Sequence, residues 1–385
     1  MLASQSVFVV DAHTTGTPIR VVTGGIPPLK GASVAEKMED MRRNHDWLRT
    51  CIMQQPRGFL SLVGAILTEP CSPEADYGVF YIDALTYQPM CGAGTLSVAK
   101  ALVETGMVKR VEPETKIVLE TPTGLVAVYV KWENHTVASI NLENVPAFLY
   151  RKDLHIDLAG YGDVSVDIGY GGNFFVLADV HSLGLTITKD TVNLLRSLSK
   201  DILAAANKVI KVAHPTNPAI NYLDQVLFCQ NVPEEDGGYL AQCIFGDAQA
   251  DISPCGTGTS TRLAQRYFRG LIGLEETFVQ KSVCGGAFHA KGLRETTLGG
   301  VPAIVPYVSC SDVHITGFNH LIVEENDKLK NGFVLTADSA CVDPANYDKR
   351  MGERICLEHI ANKLWELEGY RLQWDVFNKA NRKGT

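Results

Sequence analysis

Two five-residue stretches, CGAGT at 91–95 and CGTGT at 255–259, set the tightest limit on what this chain can fold into. Each places a cysteine where a strand-like run gives way to a helix-like one, with glycines that let the backbone turn sharply and approach another group closely. The surroundings are alike as well. YGVFYIDAL precedes Cys91 and YLAQCIFGDAQADISP precedes Cys255, and helical spacing follows each, over 92–106 and 256–273. After those come further strand-like runs, KIVLETPTGLVAVYVKW in the first case and TFVQKSVCGGAFHAKGL with AIVPYVSCSDVHITGF in the second. Strands, a cysteine turn, a helix and more strands, twice over, predict two similar α+β lobes facing one another. Another helix is expected over 188–209.

The chain has room for this. Its 385 residues exceed the roughly 300 at which single cores stop growing. A hydrophobic share of 45% with 20% charged residues describes an ordinary globular chain. A formal charge of −8, without clustered Lys or Arg, argues against nucleic acid as a partner. The start, MLASQSVFVVDAHTT, shows neither a cationic leader nor an apolar run long enough for a membrane span, so a cytoplasmic location is expected. Ten cysteines without CxxC spacing read as neither a disulfide framework nor a zinc site. Most are expected to be buried and inert, Cys243 and Cys284 among them. From about Ala337 the composition changes, and 337–385 reads as an amphipathic helical extension. Its Ile355, Ile360, Leu364 and Leu367 would pack on the body of the protein or on a second copy in a homodimer.

A cysteine just ahead of a helix sits beside the first free N–H groups of that helix. Such a position favours an anion, so it can lower a thiol pKa and hold a substrate carboxylate. Two such cysteines from two like lobes would face each other across one cleft. Inversion of a carbon next to a carboxylate needs that geometry: a base on one face, an acid on the other, and support for the charge that develops between them.

The segments DAHTTGTPIRVVTGG (11–25), QQPRG (54–58), MCGAGT (90–95), NVPAF (144–148), DIGYGGNFF (167–175), DISPCGTGTSTRLAQ (251–265) and HITGFNHLIV (314–323) resemble the proline racemase family in order and spacing. The resemblance spans about 8–335. It implies the two-lobed fold of diaminopimelate epimerase, with each lobe a mostly antiparallel sheet wrapped round a central helix. The lobes are then expected at 1–145, completed by about 322–336, and at 146–321. It also implies an activity without PLP or metal, namely racemisation or epimerisation of proline, a hydroxyproline or a related cyclic imino acid. By position, Cys91 and Cys255 would be the proton-transfer residues. Gly92, Ala93, Gly256 and Thr257 would offer N–H groups to the carboxylate, and Asp251 would receive the ammonium. A trans-3-hydroxyproline dehydratase-like enzyme or another isomerase is the alternative on the same fold, although in the dehydratases the second cysteine is typically threonine. A non-catalytic imino-acid-binding protein is the alternative from another class.

Three positions depart from the family pattern. Ala93 and Phe59 stand where histidine is common, and Val63 stands where a proline racemase can carry a wall-forming Phe. All three are expected at the pocket wall, and together they leave the substrate's identity open. DIGYGGN (167–173) would either line the cleft or serve as a glycine-rich turn, and no helix follows it as a dinucleotide site requires. His13 would either orient a cleft residue or be a satisfied histidine.

Overall fold

The computed structural model describes residues 3–246, 248–331, 351–352 and 354–361. The chain divides into two compact units, Met1–Gly332 and Phe333–Thr385. In the second unit, 351–352 and 354–361 are helical. Leu364 and Leu367 of the expected extension lie outside the described residues. Among the described residues no helix is long and apolar enough to cross a membrane.

The first unit is α+β. It opens with β1 (Ala3–Thr14), β2 (Thr17–Gly24), α1 (Val34–Asn44) and α2 (Asp46–Met53). It continues through β3 (Val63–Thr68), β4 (Tyr77–Ile82) and β5 (Tyr87–Gln88) into α3 (Gly92–Glu104). The strands β6 (Glu114–Thr121), β7 (Gly124–Glu133) and β8 (Thr136–Glu143) close this series. A second series follows: β9 (Phe148–Leu158), β10 (Gly162–Tyr170), β11 (Phe174–Asp179), α4 (Val192–Val209), β12 (Gln225–Cys229), β13 (Tyr239–Phe245) and β14 (Gln249–Ala250). Then come α5 (Gly256–Phe268), β15 (Phe278–Lys281), β16 (Ala287–Leu298), β17 (Val301–Cys310) and β18 (Val313–Glu324).

Strand pairing makes the repeat visible. In the first half β18, β1 and β2 are antiparallel, β3 joins β2 in parallel, β4 is antiparallel to β3, β6 joins β4 in parallel, and β7 and β8 follow antiparallel. The second half repeats this order as β9, β10, β11, β12, β13, β15, β16 and β17, with parallel joints again at the third-to-fourth and fifth-to-sixth strands. A parallel joint needs a crossover, and each is bridged by helix. Helices α1 and α2, or α4, serve the outer joint, and α3 or α5 serves the inner one. The halves share a seam where β8 pairs antiparallel with β17, Asn141 opposite Ser309. The chain crosses the seam twice, from β8 into β9 and from β17 into β18, which returns to β1.

The inner helices are central. Helix α3 packs on β1, β2, β3, β7, β8 and β18, and its Leu96, Val98, Ala99, Ala101 and Leu102 are fully buried, as an all-round apolar helix must be. Helix α5 packs on β9, β10, β11, β16 and β17, but its opening GTGTSTR is a poor helix former. Its buried hydroxyls stay satisfied by donating to carbonyls four residues back: Thr259 to Cys255 at 2.7 Å, Ser260 to Gly256 at 3.0 Å and Thr261 to Thr257 at 2.8 Å. The glycine turn that ends DIGYGGN packs against this helix. A Cβ on Gly171 would lie 2.6 Å from the Thr257 carbonyl oxygen, and Asn173 Nδ2 donates to the Met90 carbonyl at 3.0 Å. Buried Asn144, at the first crossing of the seam, ties Gly171 to α5 by donating to the Gly171 carbonyl at 3.0 Å and to Ser260 Oγ at 2.9 Å.

Where α3 and α5 meet, they do so end to end. A Cβ added to Gly92 would stand 2.6 Å from Gly256 Cα, and one added to Gly256 would stand 2.7 Å from Gly92 Cα. Only two glycines allow that approach. Gly256→Ala is therefore expected to cost about 1–3 kcal/mol in denaturant unfolding, because backbone and not a flexible side chain must yield. Gly273→Ala, whose nearest neighbour would be 3.8 Å away, is expected to stay within about 0.5 kcal/mol of the parent. Equal effects of the two would refute the end-to-end packing.

Candidate active site

Each cysteine caps its helix. Cys91 Sγ accepts from the Gly94 N–H and Cys255 Sγ from the Gly258 N–H, both at 3.3 Å. Cys91 is in extended backbone, whereas Cys255 has φ 66° and ψ 109°, a region that residues other than glycine rarely adopt. Such a conformation costs on the order of 1–3 kcal/mol and persists only where its surroundings enforce it. Here the Cys255 N–H donates to Ser253 Oγ at 3.1 Å, and its carbonyl takes both the N–H and the hydroxyl of Thr259 at 2.7 Å.

Both thiols open on one small cavity of about 30 Å³, room for roughly two waters. Gly92, Ala93, Gly256 and Thr257 line it between them. The N–H groups of Gly92, Gly256 and Thr257 make no hydrogen bond among the described residues. Two positive helix ends, each worth about half a charge, thus abut with nothing negative between them. Val63, Met90 and Phe245 form apolar wall, and Thr17, Gln88, Gln225 and Asp251 form polar wall. Asp251 Oδ1 accepts from Thr17 Oγ1 at 2.8 Å and from the N–H and hydroxyl of Ser253, each at 2.9 Å.

Among the described residues no Lys, Arg or His lines this cavity. Burial pushes the Cys91 thiol up to about 12, against the opposing Gly94 N–H and with help from the negative charge of Asp251 and Cys255. Burial also raises Asp251, despite its hydrogen bonds from Thr17 and Ser253.

Of the residues expected at the site, Cys91, Gly92, Ala93, Asp251, Cys255, Gly256, Thr257 and Val63 are together at this cavity. Phe59 is not. It is 46% exposed, in the turn where the Leu62 N–H donates to its carbonyl at 3.0 Å, because β3 begins only at Val63. Cys284 is exposed, but Cys243 is not a remote structural thiol. It lines the cavity against Cys255, because β13 turns back through β14 and returns the chain to the start of α5. Its thiol is raised well above the ordinary value, first by hydrogen bonding with Cys255 and then by burial. Thr17, in the same DAHTTGTPIRVVTGG segment as His13, reaches the cavity, whereas His13 Nδ1 accepts from the Gly16 N–H at 3.2 Å and holds a turn. A larger cavity, about 540 Å³, runs along α5 away from the thiols, where Arg269 is tied to Asp153 and Asp167.

Two like halves, with a thiol at each of two abutting helix ends that open on one cavity, define an α+β fold of the isomerase class. The comparisons with known proteins agree. The proline racemase family model matches residues 9–334. The chain belongs to the proline racemase family. It is 39% identical to the proline racemase of Clostridioides difficile over 335 residues, 87% of this chain and all of that one. It is 37% identical to the trans-3-hydroxy-L-proline dehydratase of Burkholderia cenocepacia over 336 residues, again 87% of this chain and all of the relative. Among solved structures it resembles a hydroxyproline epimerase from Agrobacterium vitis with bound trans-4-hydroxy-L-proline, with TM-score 0.82 and 29% identity, covering 87% of this chain and 96% of that one. A second family model, of a phage protein family (N4 Gp49/phage Sf6 gene 66), matches residues 326–376.

The raised Cys91 thiol has a direct consequence. Thiolate is the reactive form, and its fraction falls tenfold for each unit by which the pKa exceeds the pH. In the ligand-free protein at neutral pH, iodoacetamide is expected to label Cys91 at least about a hundredfold more slowly than a free cysteine with pKa near 8.5, the rate climbing with pH well past 9. Mass-spectrometric labelling rates check this, and an ordinary rate at Cys91 would contradict the burial that raises it.

Proposed function

We propose that the protein inverts the α-carbon of proline, a hydroxyproline or a related cyclic imino acid, with Cys91 and Cys255 as the two proton-transfer groups. The observation that carries this reading is the pair of capping thiols opening on one cavity that offers free helix N–H groups on one side and Asp251 on another. The substrate carboxylate sits between the helix ends and takes the N–H groups of Gly92, Ala93, Gly256 and Thr257. The ammonium lies towards Asp251. Its positive charge is what the crowded acids lack, so its arrival favours the thiolate that must act as base.

One thiolate then removes the α-proton. The negative charge that builds on the carboxylate is met by the two helix ends, which are fixed before the reaction starts. The other thiol returns a proton on the opposite face. With the substrate's enantiomer reversed, the two thiols exchange roles. Ala93, Val63, Met90 and Phe245 provide the apolar contact that a ring requires. A cavity of about 30 Å³ does not hold a ring, so entry requires the two halves to part where α3 meets α5. Reclosure then excludes water from the reacting carbon.

Replacing either thiol by a hydroxyl removes a base of useful strength. Both Cys91→Ser and Cys255→Ser are expected to lose inversion by about 10²–10⁴-fold, the usual worth of a placed acid or base. Each variant should still exchange the α-hydrogen of one enantiomer with deuterated water through its surviving thiolate, and the two variants should prefer opposite enantiomers. Near-normal inversion by Cys91→Ser would end the two-thiol reading.

A further inference from the structure

The cavity holds a third thiol for which inversion has no use. One sulfur from Cys243, one from Cys255 and a carboxylate oxygen of Asp251 all lie within 4.8 Å of one another. The three come from a strand, a loop and a helix cap, and backbone bonds tie the strand to the loop. The Asp251 N–H donates to the Cys243 carbonyl at 3.0 Å, and Gln242 Nε2 donates to the Asp251 carbonyl at 2.8 Å and to the Cys243 carbonyl at 3.0 Å. The three bonds from Thr17 and Ser253 all fall on Oδ1 of Asp251. Cys243 itself is 1% exposed and Cys255 7%. No basic side chain lines the cavity to compete for these donors.

We propose that Cys243, Asp251 and Cys255 form a binding site for a thiophilic divalent cation of the zinc type, and that occupancy blocks the proton-transfer site. Tetrahedral zinc, with bonds of about 2.3 Å to sulfur and 2.0 Å to oxygen, sets its ligand atoms roughly 3.5–3.8 Å apart. The three atoms therefore need to close by little more than an ångström. Two soft sulfurs with one carboxylate suit zinc or cadmium and not magnesium or calcium, which take oxygen ligands. On binding, Cys243 and Cys255 release their thiol protons to solvent and form the two metal–sulfur bonds. The fourth position is left to water. The cation then occupies the ammonium's place near Asp251 and takes Cys255 out of proton transfer, so metal and imino acid exclude one another.

Cadmium is the probe, because each cadmium–thiolate bond adds to an ultraviolet charge-transfer band and binding is read without turnover. The unaltered protein in metal-free buffer is expected to take one cadmium with a two-thiolate band, reversed by chelator, and zinc is expected to displace it. Cys243→Ala and the better-filling Cys243→Val should each halve the band and weaken binding roughly a hundredfold or more, given that even outer partners of metal ligands are worth 10–100-fold. Cys91→Ala should bind as the parent does. Absence of a stoichiometric band in the unaltered protein overturns the proposal. So does the converse pattern, in which Cys91→Ala loses the metal and the Cys243 variants keep it, since the ligands would then be Cys91 and Cys255. Should both Cys243 variants fail to fold, differential alkylation of the unaltered protein decides the case, because cadmium must shield Cys243 and Cys255 for the proposal to stand. None of these readouts depends on which reaction the protein catalyses.

Discussion

The contact between Gly92 and Gly256 is the constraint on which the rest depends. Two helices do not readily point their N-termini at each other, since each end carries about half a positive charge. Here both are driven to the seam by the strands that enclose them, and the missing side chains let their backbones touch. Everything at the site follows from that meeting. The cysteines, as caps, are brought to the same small space, and the free N–H groups converge on it. The like charges of the two ends make that space a place for an anion.

The polarity of the site follows from what is left out of it. A cation beside Cys91 or Asp251 would bring both towards ordinary values, and burial instead raises them. In the ligand-free site these two raised acids face positive helix ends. In the proposed reaction a zwitterionic ligand brings the positive charge that favours the thiolate base. The same shortage of cations underlies the affinity proposed for a soft metal at Cys243, Asp251 and Cys255. The strained backbone of Cys255 makes the two thiols unequal, although their helices repeat one pattern.

The sequence carried a good deal of this in readable form. CGAGT and CGTGT marked both caps, and the repeat of strands around them foretold two like α+β halves, which the strand order shows joint by joint. Helix α1 went unread although its signal was present: Ser33 accepts from the Glu36 N–H at 3.2 Å, the start of a capping box. Phe59 is expected at the pocket wall only from its place in the family pattern, whereas the chain there makes an exposed turn ahead of β3, which begins at Val63. Cys243 had no signal at all. Its approach to Cys255 depends on the β13–β14 turn, a tertiary fact that spacing along the chain does not express. DIGYGGN stayed ambiguous for a similar reason, since glycines that admit a helix and glycines that admit a ligand look alike in sequence.

The central claim is that two different groups, on opposite faces, handle the proton. The most direct measurement follows one enantiomer of the imino acid in deuterated water during the first few per cent of reaction. The account predicts that the inverted product carries one deuteron at the α-carbon while the unconverted substrate carries none, because the group that removes the proton is not the one that returns it. Product that keeps its original hydrogen, or substrate that gains deuterium as fast as product forms, would mean a single group serving both faces, and would contradict it.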